Sequence, residues 1–201
     1  MATKITHWID GKSWTGTSKN QGQVFNPATG LQTGEVDFAD IATVDQAIKS
    51  AKDAFPMWRD TSLTKRTQIV FKFRELLNAK KEELAAIITS EHGKVLSDAL
   101  GEVTRGQEVV EFACGIPQLL KGGFSEGVSN GVDVYSIRQP VGVVAGITPF
   151  NFPAMVPMWF FPIAIATGNA FILKPSDKDP SASIWIAKLW QEAGLPDGIF
   201  S

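Results

Sequence analysis

Residues 140–176 read PVGVVAGITPFNFPAMVPMWFFPIAIATGNAFILKPS, a pattern that few folds can accept. Residues 141–147 (VGVVAGI) form an apolar run rich in valine and too short for a globular helix. Such a run reads as a strand buried on both faces, as in a parallel sheet. The loop Thr148-Pro149-Phe150-Asn151-Phe152-Pro153 follows at its carboxyl end. An apolar helix over residues 154–167 comes next, closed by Gly168-Asn169 as a C-cap. A second short strand, residues 170–174, ends in Lys174-Pro175-Ser176. Strand, loop, helix, strand brings both strand-end loops to one edge, and open α/β sheets bind ligands at that edge. The spacing therefore predicts an α/β fold with a Rossmann-like, doubly wound parallel sheet and its site at these two loops.

Composition narrows the function classes. The 201 residues, 44% of them apolar, suffice for one core with a small appendage. Nineteen basic residues stand against 21 acidic ones with no basic run, which speaks against nucleic acid and anionic membranes as partners. A single cysteine, Cys114, excludes an internal disulfide and suits a reducing compartment. The start, MATKITHWIDGK, has neither an apolar signal core nor an Arg-rich presequence, which points to the cytoplasm. The longest apolar run, residues 152–167, carries three prolines and falls short of the ~20 residues that a membrane helix needs. GxGxxG, Walker, CxxC and HExxH patterns are absent, so no metal site is expected.

In chain order, residues 7–15 read as a hairpin around Asp10-Gly11, and residues 26–30 as a second turn. A helix over residues 44–58 carries a capping box of Thr43 and Gln46. Thr64 is the expected cap of a second helix, whose stripe resumes at Leu84 after a Lys-rich surface turn. Gly93 ends it in the left-handed position, where His92 reads as a favourable cation at the helix terminus, with catalysis as the alternative. A long helix from Ser97 lines up Ala99, Val103, Gly106, Val110 and Cys114 on one face. Arg105 falls nearly opposite, beside Gly101 and Phe112, where it is either solvated or able to grip a carboxylate by paired hydrogen bonds. Residues 122–139 read as an alternating ribbon without a core of its own, which must pack on another domain or subunit. Asp179-Pro180 starts and caps a last helix, and residues 198–201 read as the opening of a further parallel strand, so a longer protein is expected.

Few of these residues suit chemistry. Cys114 sits mid-helix on the apolar face, without the cation or helix N-terminus that would stabilise a thiolate. Asn151, on a loop bounded by Pro149 and Pro153, is placed either to stabilise an oxyanion or to brace its own loop. Lys174 with Asp177 suits ribose hydroxyls or, equally, a surface salt bridge.

Ile147-Thr-Pro-Phe-Asn-Phe-Pro153, Gly168-Asn-Ala-Phe-Ile-Leu-Lys-Pro-Ser176 and Gly194-Leu-Pro-Asp-Gly198 resemble, in order and spacing, the aldehyde dehydrogenase superfamily. Phe150 before the Asn, Arg105 in GEVTRGQEVVEFA and Tyr135-Ser-Ile-Arg138 are similar to its CoA-acylating branch, which acts on methylmalonate and malonate semialdehydes. The resemblance spans essentially the whole chain. It implies NAD as cofactor and coenzyme A as co-substrate: a cysteine thiolate attacks the aldehyde, hydride passes to NAD, and the thioester goes to CoA with loss of carbon dioxide. It further implies Asn151 as oxyanion stabiliser, Thr148, Phe150, Lys174, Asp177 and Lys178 as cofactor contacts, and Arg105 as the clamp on the substrate carboxylate. Asp177 and Lys178 stand where the branch carries Glu and Arg. By the same resemblance residues 1–121 and 140–201 are an NAD-binding domain, residues 122–139 are an oligomerisation ribbon of a homo-oligomer, and the nucleophilic cysteine lies beyond Ser201 with the rest of the catalytic domain. A truncated, non-catalytic module for cofactor binding or subunit pairing is the alternative.

Overall fold

The computed structural model describes residues 2–201. Strand β1 (Thr3–Ile5), the hairpin β2 (His7–Ile9) and β3 (Lys12–Trp14), and strands β4 (Gln21–Asn26) and β5 (Leu31–Asp37) form the N-terminal part. The hairpin turns at Asp10 and Gly11, both at positive φ (56° and 68°), as a tight two-residue turn requires. Strand β5 pairs parallel to β1 and antiparallel to β4, giving the order β1-β5-β4.

Three helices follow: α1 (Ile41–Asp60), α2 (Leu63–His92) and α3 (Leu96–Cys114), with the short α4 (Ile116–Leu119) after them. The α1 cap is Asp40, whose carboxylate accepts from the Thr43 backbone N–H at 2.8 Å, so the helix starts three residues earlier than a Thr43 cap implies. Ser62, not Thr64, caps α2 by accepting from Lys65 N at 3.3 Å. The expected Lys-rich turn does not exist. Residues 78–84 contain no Gly or Pro, and Lys80 reaches across to Glu192 at 2.6 Å, so α2 runs on for 30 residues. It ends at Gly93 with φ 86°, as read from the sequence.

The ribbon, β6 (Phe124–Ser129) with β7 (Val132–Tyr135), is exposed along its whole length, Tyr135 by 73%. Beyond it stand β8 (Val143–Ile147), α5 (Met155–Ala166), β9 (Ala170–Lys174) and α6 (Ser181–Glu192). Strands β8 and β9 pair in parallel register, and Phe200 bridges to Phe171 in parallel on the far side of β9. Phe171 packs edge-on against Phe161 of α5, while Ile172, on the alternate face, lines a cavity with Ala47 of α1, so helices cover both faces. This is the doubly wound parallel arrangement that the apolar runs predict.

Strand β8 departs from the expectation of full burial. Val143 and Val144 are half-buried and Ile147 is 79% exposed, because β8 has a strand partner on one side alone among the described residues. The core lies instead around β9. Phe73 stacks on Trp190 (centroids 3.8 Å apart), and Phe161 meets Phe73, Trp190 and Phe200 edge-on. Fully burying each such ring contributes about 1.5–3 kcal/mol or more, and the cluster locks α2, α5 and α6 to the sheet. Gly106 brings α3 close to α5, since a Cβ there would collide with Met158.

Candidate functional site

The parallel register sets Ile147 opposite Lys174, and the ladder extends one step further, Thr148 N donating to Lys174 O at 3.1 Å. The loops after β8 and β9 therefore leave the sheet side by side. Thr148 is buried, yet its hydroxyl has no partner, an orphaned polar atom at the root of the site. The Phe150 ring stacks near the His92 imidazole (centroids 6.4 Å apart), and the Lys178 ammonium lies 4.4 Å from the Phe150 centroid. Ser176 Oγ accepts from Lys178 N at 3.0 Å and tightens the second loop. Lys174 and Asp177 are exposed and, among the described residues, form no ion pair with one another, so the salt-bridge alternative for them is not realised. A cavity of about 440 Å³ opens beside them, walled by Lys174, Ser176, Asp177, Pro180 and Ile184. It does not reach Phe150, Asn151 or Arg105.

The structure brings Asn151 and Arg105 to one place. Asn151 is exposed, and its side-chain amide makes no hydrogen bond among the described residues, so it does not brace its own loop. Arg105 is exposed as well; Nε donates to Gly101 O at 3.4 Å, and the guanidinium lies 5.5 Å from the centre of the Phe152 ring. Among the described residues it has no carboxylate partner. The guanidinium therefore packs on Phe152, the residue that follows Asn151 in the loop.

Two residues that sequence reasoning passed over hold this arrangement. Glu102 is fully buried on α3, and its Oε1 accepts from the N–H groups of Ala154 (2.9 Å) and Met155 (3.2 Å) at the start of α5. Its other oxygen pairs with the Lys94 ammonium, which also donates to the Asn151 carbonyl at 3.1 Å and covers the Phe152 ring at 4.5 Å. The signal was present: Glu102 occupies a slot of the buried stripe 99-103-106-110, where an acidic residue is out of pattern.

Three titratable groups differ from their sequence reading. Burial holds His92 below the usual imidazole range, with the Lys94 charge adding to the effect and Glu102 opposing it, which works against the cation read at the helix end. Cys114 is the last residue of α3, not mid-helix, and burial pushes its thiol up, which leaves it unsuited as a nucleophile. Asp179 does not cap α6. Glu91 does, accepting from Ser181 N at 3.0 Å and Oγ at 2.6 Å, and its own carboxyl is raised by burial. Asp179 is only 2% exposed, neither oxygen has a partner in good hydrogen-bond geometry, and its carboxyl is pushed up to about 7 by burial first, then by Glu91 and Glu102, with the Ser176 hydroxyl and the Lys94 charge opposing.

Comparison with known proteins identifies the family. Residues 14–201 match the model of the aldehyde dehydrogenase family, and the chain belongs to that family. It is 49% identical to a malonate-semialdehyde dehydrogenase of Pseudomonas aeruginosa, covering 98% of this chain and 39% of that protein. Against the acylating, mitochondrial methylmalonate-semialdehyde dehydrogenase of Arabidopsis thaliana the identity is 48%, over 100% of this chain and 33% of the relative. A structure from Sinorhizobium meliloti 1021, complexed with NAD and assigned as a methylmalonate-semialdehyde dehydrogenase, superposes with a TM-score of 0.98 at 53% identity. That match covers 100% of this chain and 41% of the other. The chain thus spans about two-fifths or less of the length of these relatives. Among the described residues no helix is long and apolar enough to cross a membrane, and no cluster of His, Cys, Asp and Glu could hold a metal ion.

The raised Asp179 carboxyl has a defined consequence for stability. The folded state holds this proton up to about pH 7, whereas the unfolded chain releases it near 3.8, so Asp179 lowers stability progressively as pH rises through that window. Asp179→Asn is therefore expected to gain unfolding free energy relative to wild type from pH 4 to pH 7, with a constant difference above. Urea unfolding at stepped pH measures this; a difference independent of pH would contradict it.

Proposed function

We propose that this chain forms the cofactor-binding and substrate-clamping part of an NAD-dependent, CoA-acylating oxidation of methylmalonate and malonate semialdehydes. The products are propionyl-CoA and acetyl-CoA, with release of carbon dioxide. The observation that carries the reading is that the Asn151 side-chain amide is left without a hydrogen bond while the unpaired Arg105 guanidinium packs against Phe152, the next residue of the same loop, at the edge that also bears Thr148, Lys174 and Asp177. A semialdehyde bearing a carboxylate needs that pair: a donor for the aldehyde oxygen and a planar cation for the acid group.

The fit to NAD rests on this chain's own residues. The orphaned Thr148 hydroxyl, the exposed Phe150 ring, and the uncommitted Lys174 and Asp177 would hold it, with Lys178 beside Phe150. When bound, NAD supplies the acceptor for the aldehyde hydride. Before the hydride leaves, Asn151 would donate its amide N–H to the aldehyde oxygen as that atom gains negative charge on addition of a thiolate to the carbonyl, and Arg105 would fix the carboxylate at the other end of the substrate. Coenzyme A accepts the acyl group as co-substrate. The thiol that carries the acyl group is not Cys114, which burial keeps protonated. In domain terms, residues 1–121 and 140–201 make up the cofactor-binding part. The exposed ribbon of residues 122–139, with Phe124, Val134 and Tyr135 facing solvent, suits subunit pairing in a homo-oligomer.

Two substitutions in a full-length polypeptide carrying these residues test the reading. Arg105→Leu is expected to lower kcat/KM for methylmalonate semialdehyde by about ten- to a hundredfold, the loss of a charge-assisted pair, and to spare propionaldehyde. Equal losses for both aldehydes would assign Arg105 to the fold. Asn151→Ala is expected to slow the pre-steady-state burst of NADH by roughly 10²–10³, the effect of removing one oxyanion donor, while NAD affinity stays within a few-fold. A burst at the wild-type rate would remove Asn151 from the chemistry.

A further inference from the structure

We infer that Lys94 and Glu102 are the positioning residues for the Asn151 amide, with Glu102 joining the start of α5 to Lys94 and Lys94 joining Glu102 to the loop. This rests on the reading of Asn151 as the oxyanion donor. The geometry is that of a three-way tether. One Glu102 oxygen takes two N–H groups at the N-terminus of α5, where four backbone donors lack helical partners and the helix dipole favours an anion. Its other oxygen takes the Lys94 ammonium, and Lys94 delivers a further N–H to the Asn151 carbonyl.

That last bond matters because the loop has little else. Thr148 N is tied to Lys174 at the loop's start, and Phe152 O accepts from Val156 at 3.2 Å at its end. Between them, among the described residues, the Lys94 ammonium is the one hydrogen-bond partner of the backbone at residues 149–151. Prolines at 149 and 153 restrict the flanks but do not choose where the Asn151 side chain points. Lys94 fixes the carbonyl of Asn151, and with it the backbone position from which the amide projects. The same element sets Arg105. Glu102 and Arg105 stand three residues apart on α3, and the Phe152 ring is covered by Lys94 at 4.5 Å and by Arg105 at 5.5 Å. Donor and clamp are thereby held against one rigid helix.

Lys94 and Glu102 differ from ordinary fold-stabilising residues in what they order. A buried pair contributes little net stability over an apolar pair, but removing one partner strands the other charge. The double substitution Lys94→Met with Glu102→Gln avoids that, since both members become neutral and Gln retains a carbonyl oxygen for the α5 amides. The tether, not the core, is what this variant loses.

The test uses the 201-residue chain itself and reads the loop by NMR. In wild type the backbone order at residues 150–152 is expected to match that of α5. In Lys94→Met, and in the double variant, order at residues 150–152 should drop to that of a flexible loop (S² below about 0.6). Amides of Val70, Leu77 and Ile165 in the core should keep their wild-type exchange. Lys94→Arg, which keeps a charged donor, should restore loop order. In Glu102→Gln, exchange of the Ala154 and Met155 amides should accelerate about tenfold or more, the loss of a charge-assisted acceptor. Loop order unchanged in Lys94→Met and in the double variant would overturn the tether, as would loosening shared equally with the core. Failure here is separable from failure of the Asn151 reading: a loosened loop combined with a wild-type NADH burst in Asn151→Ala would keep the tether and discard the oxyanion role.

Discussion

The pairing of Ile147 with Lys174 is the constraint on which the site depends. Side chains alternate along a strand, so a slip of one residue would turn Phe171 and Leu173 away from α5 and expose the aromatic cluster. That cluster, with Phe161 between Phe171, Phe200 and Trp190, permits one register only. Core packing thereby dictates that the loop with Thr148, Phe150 and Asn151 emerges next to the loop with Lys174, Asp177 and Lys178. The chemistry of the edge follows from hydrophobic packing some distance below it.

Buried charge supplies the second layer. Neither α5 nor α6 has a side-chain cap of its own: Ala154 and Pro180 stand at the cap positions. Each N-terminus takes a carboxylate from elsewhere, Glu102 from α3 and Glu91 from the end of α2. The helices that follow the two strands are thus anchored to the helical layer beside the sheet by hydrogen bonds to carboxyl groups as well as by apolar contacts. Such anchors are costly to desolvate and need several hydrogen bonds each, which Glu102 has and Asp179 lacks. The unpartnered Asp179 sits where the second loop meets α6, and its raised carboxyl reflects that imbalance.

Much of this was legible in the chain. The two strands, their loops, the Gly93 helix end and the Asp10-Gly11 turn follow from local rules: short apolar runs, positive φ at glycine and two-residue hairpins. The face shared by Ala99, Val103, Gly106 and Val110 was legible for the same reason, and all four are buried. The rest depends on partners far away in sequence. A Lys-rich segment reads as a turn until Glu192 is seen to meet Lys80, and Asp179-Pro180 reads as a cap until Glu91 is found at Ser181. Strand β8 reads as doubly buried because its sequence is apolar, whereas exposure depends on which neighbours flank it. Asn151 and Arg105 were each visible as candidates, but only the fold shows that Arg105 packs on Phe152, next to Asn151 in the loop, and that Lys94 bonds the Asn151 carbonyl while pairing with Glu102.

The central claim is that the edge formed by the β8 and β9 loops is a dinucleotide-binding edge on this chain alone. Titrating NAD into the 201-residue protein and following backbone and side-chain NMR shifts tests it most directly. The account predicts that the largest shifts fall on Thr148, Phe150, Lys174, Asp177 and Lys178, with the Thr148 hydroxyl gaining protection from exchange. Shifts concentrated instead on the far wall of the cavity, at Ile9, Val36 and Val44, or no shifts at millimolar NAD, would contradict it.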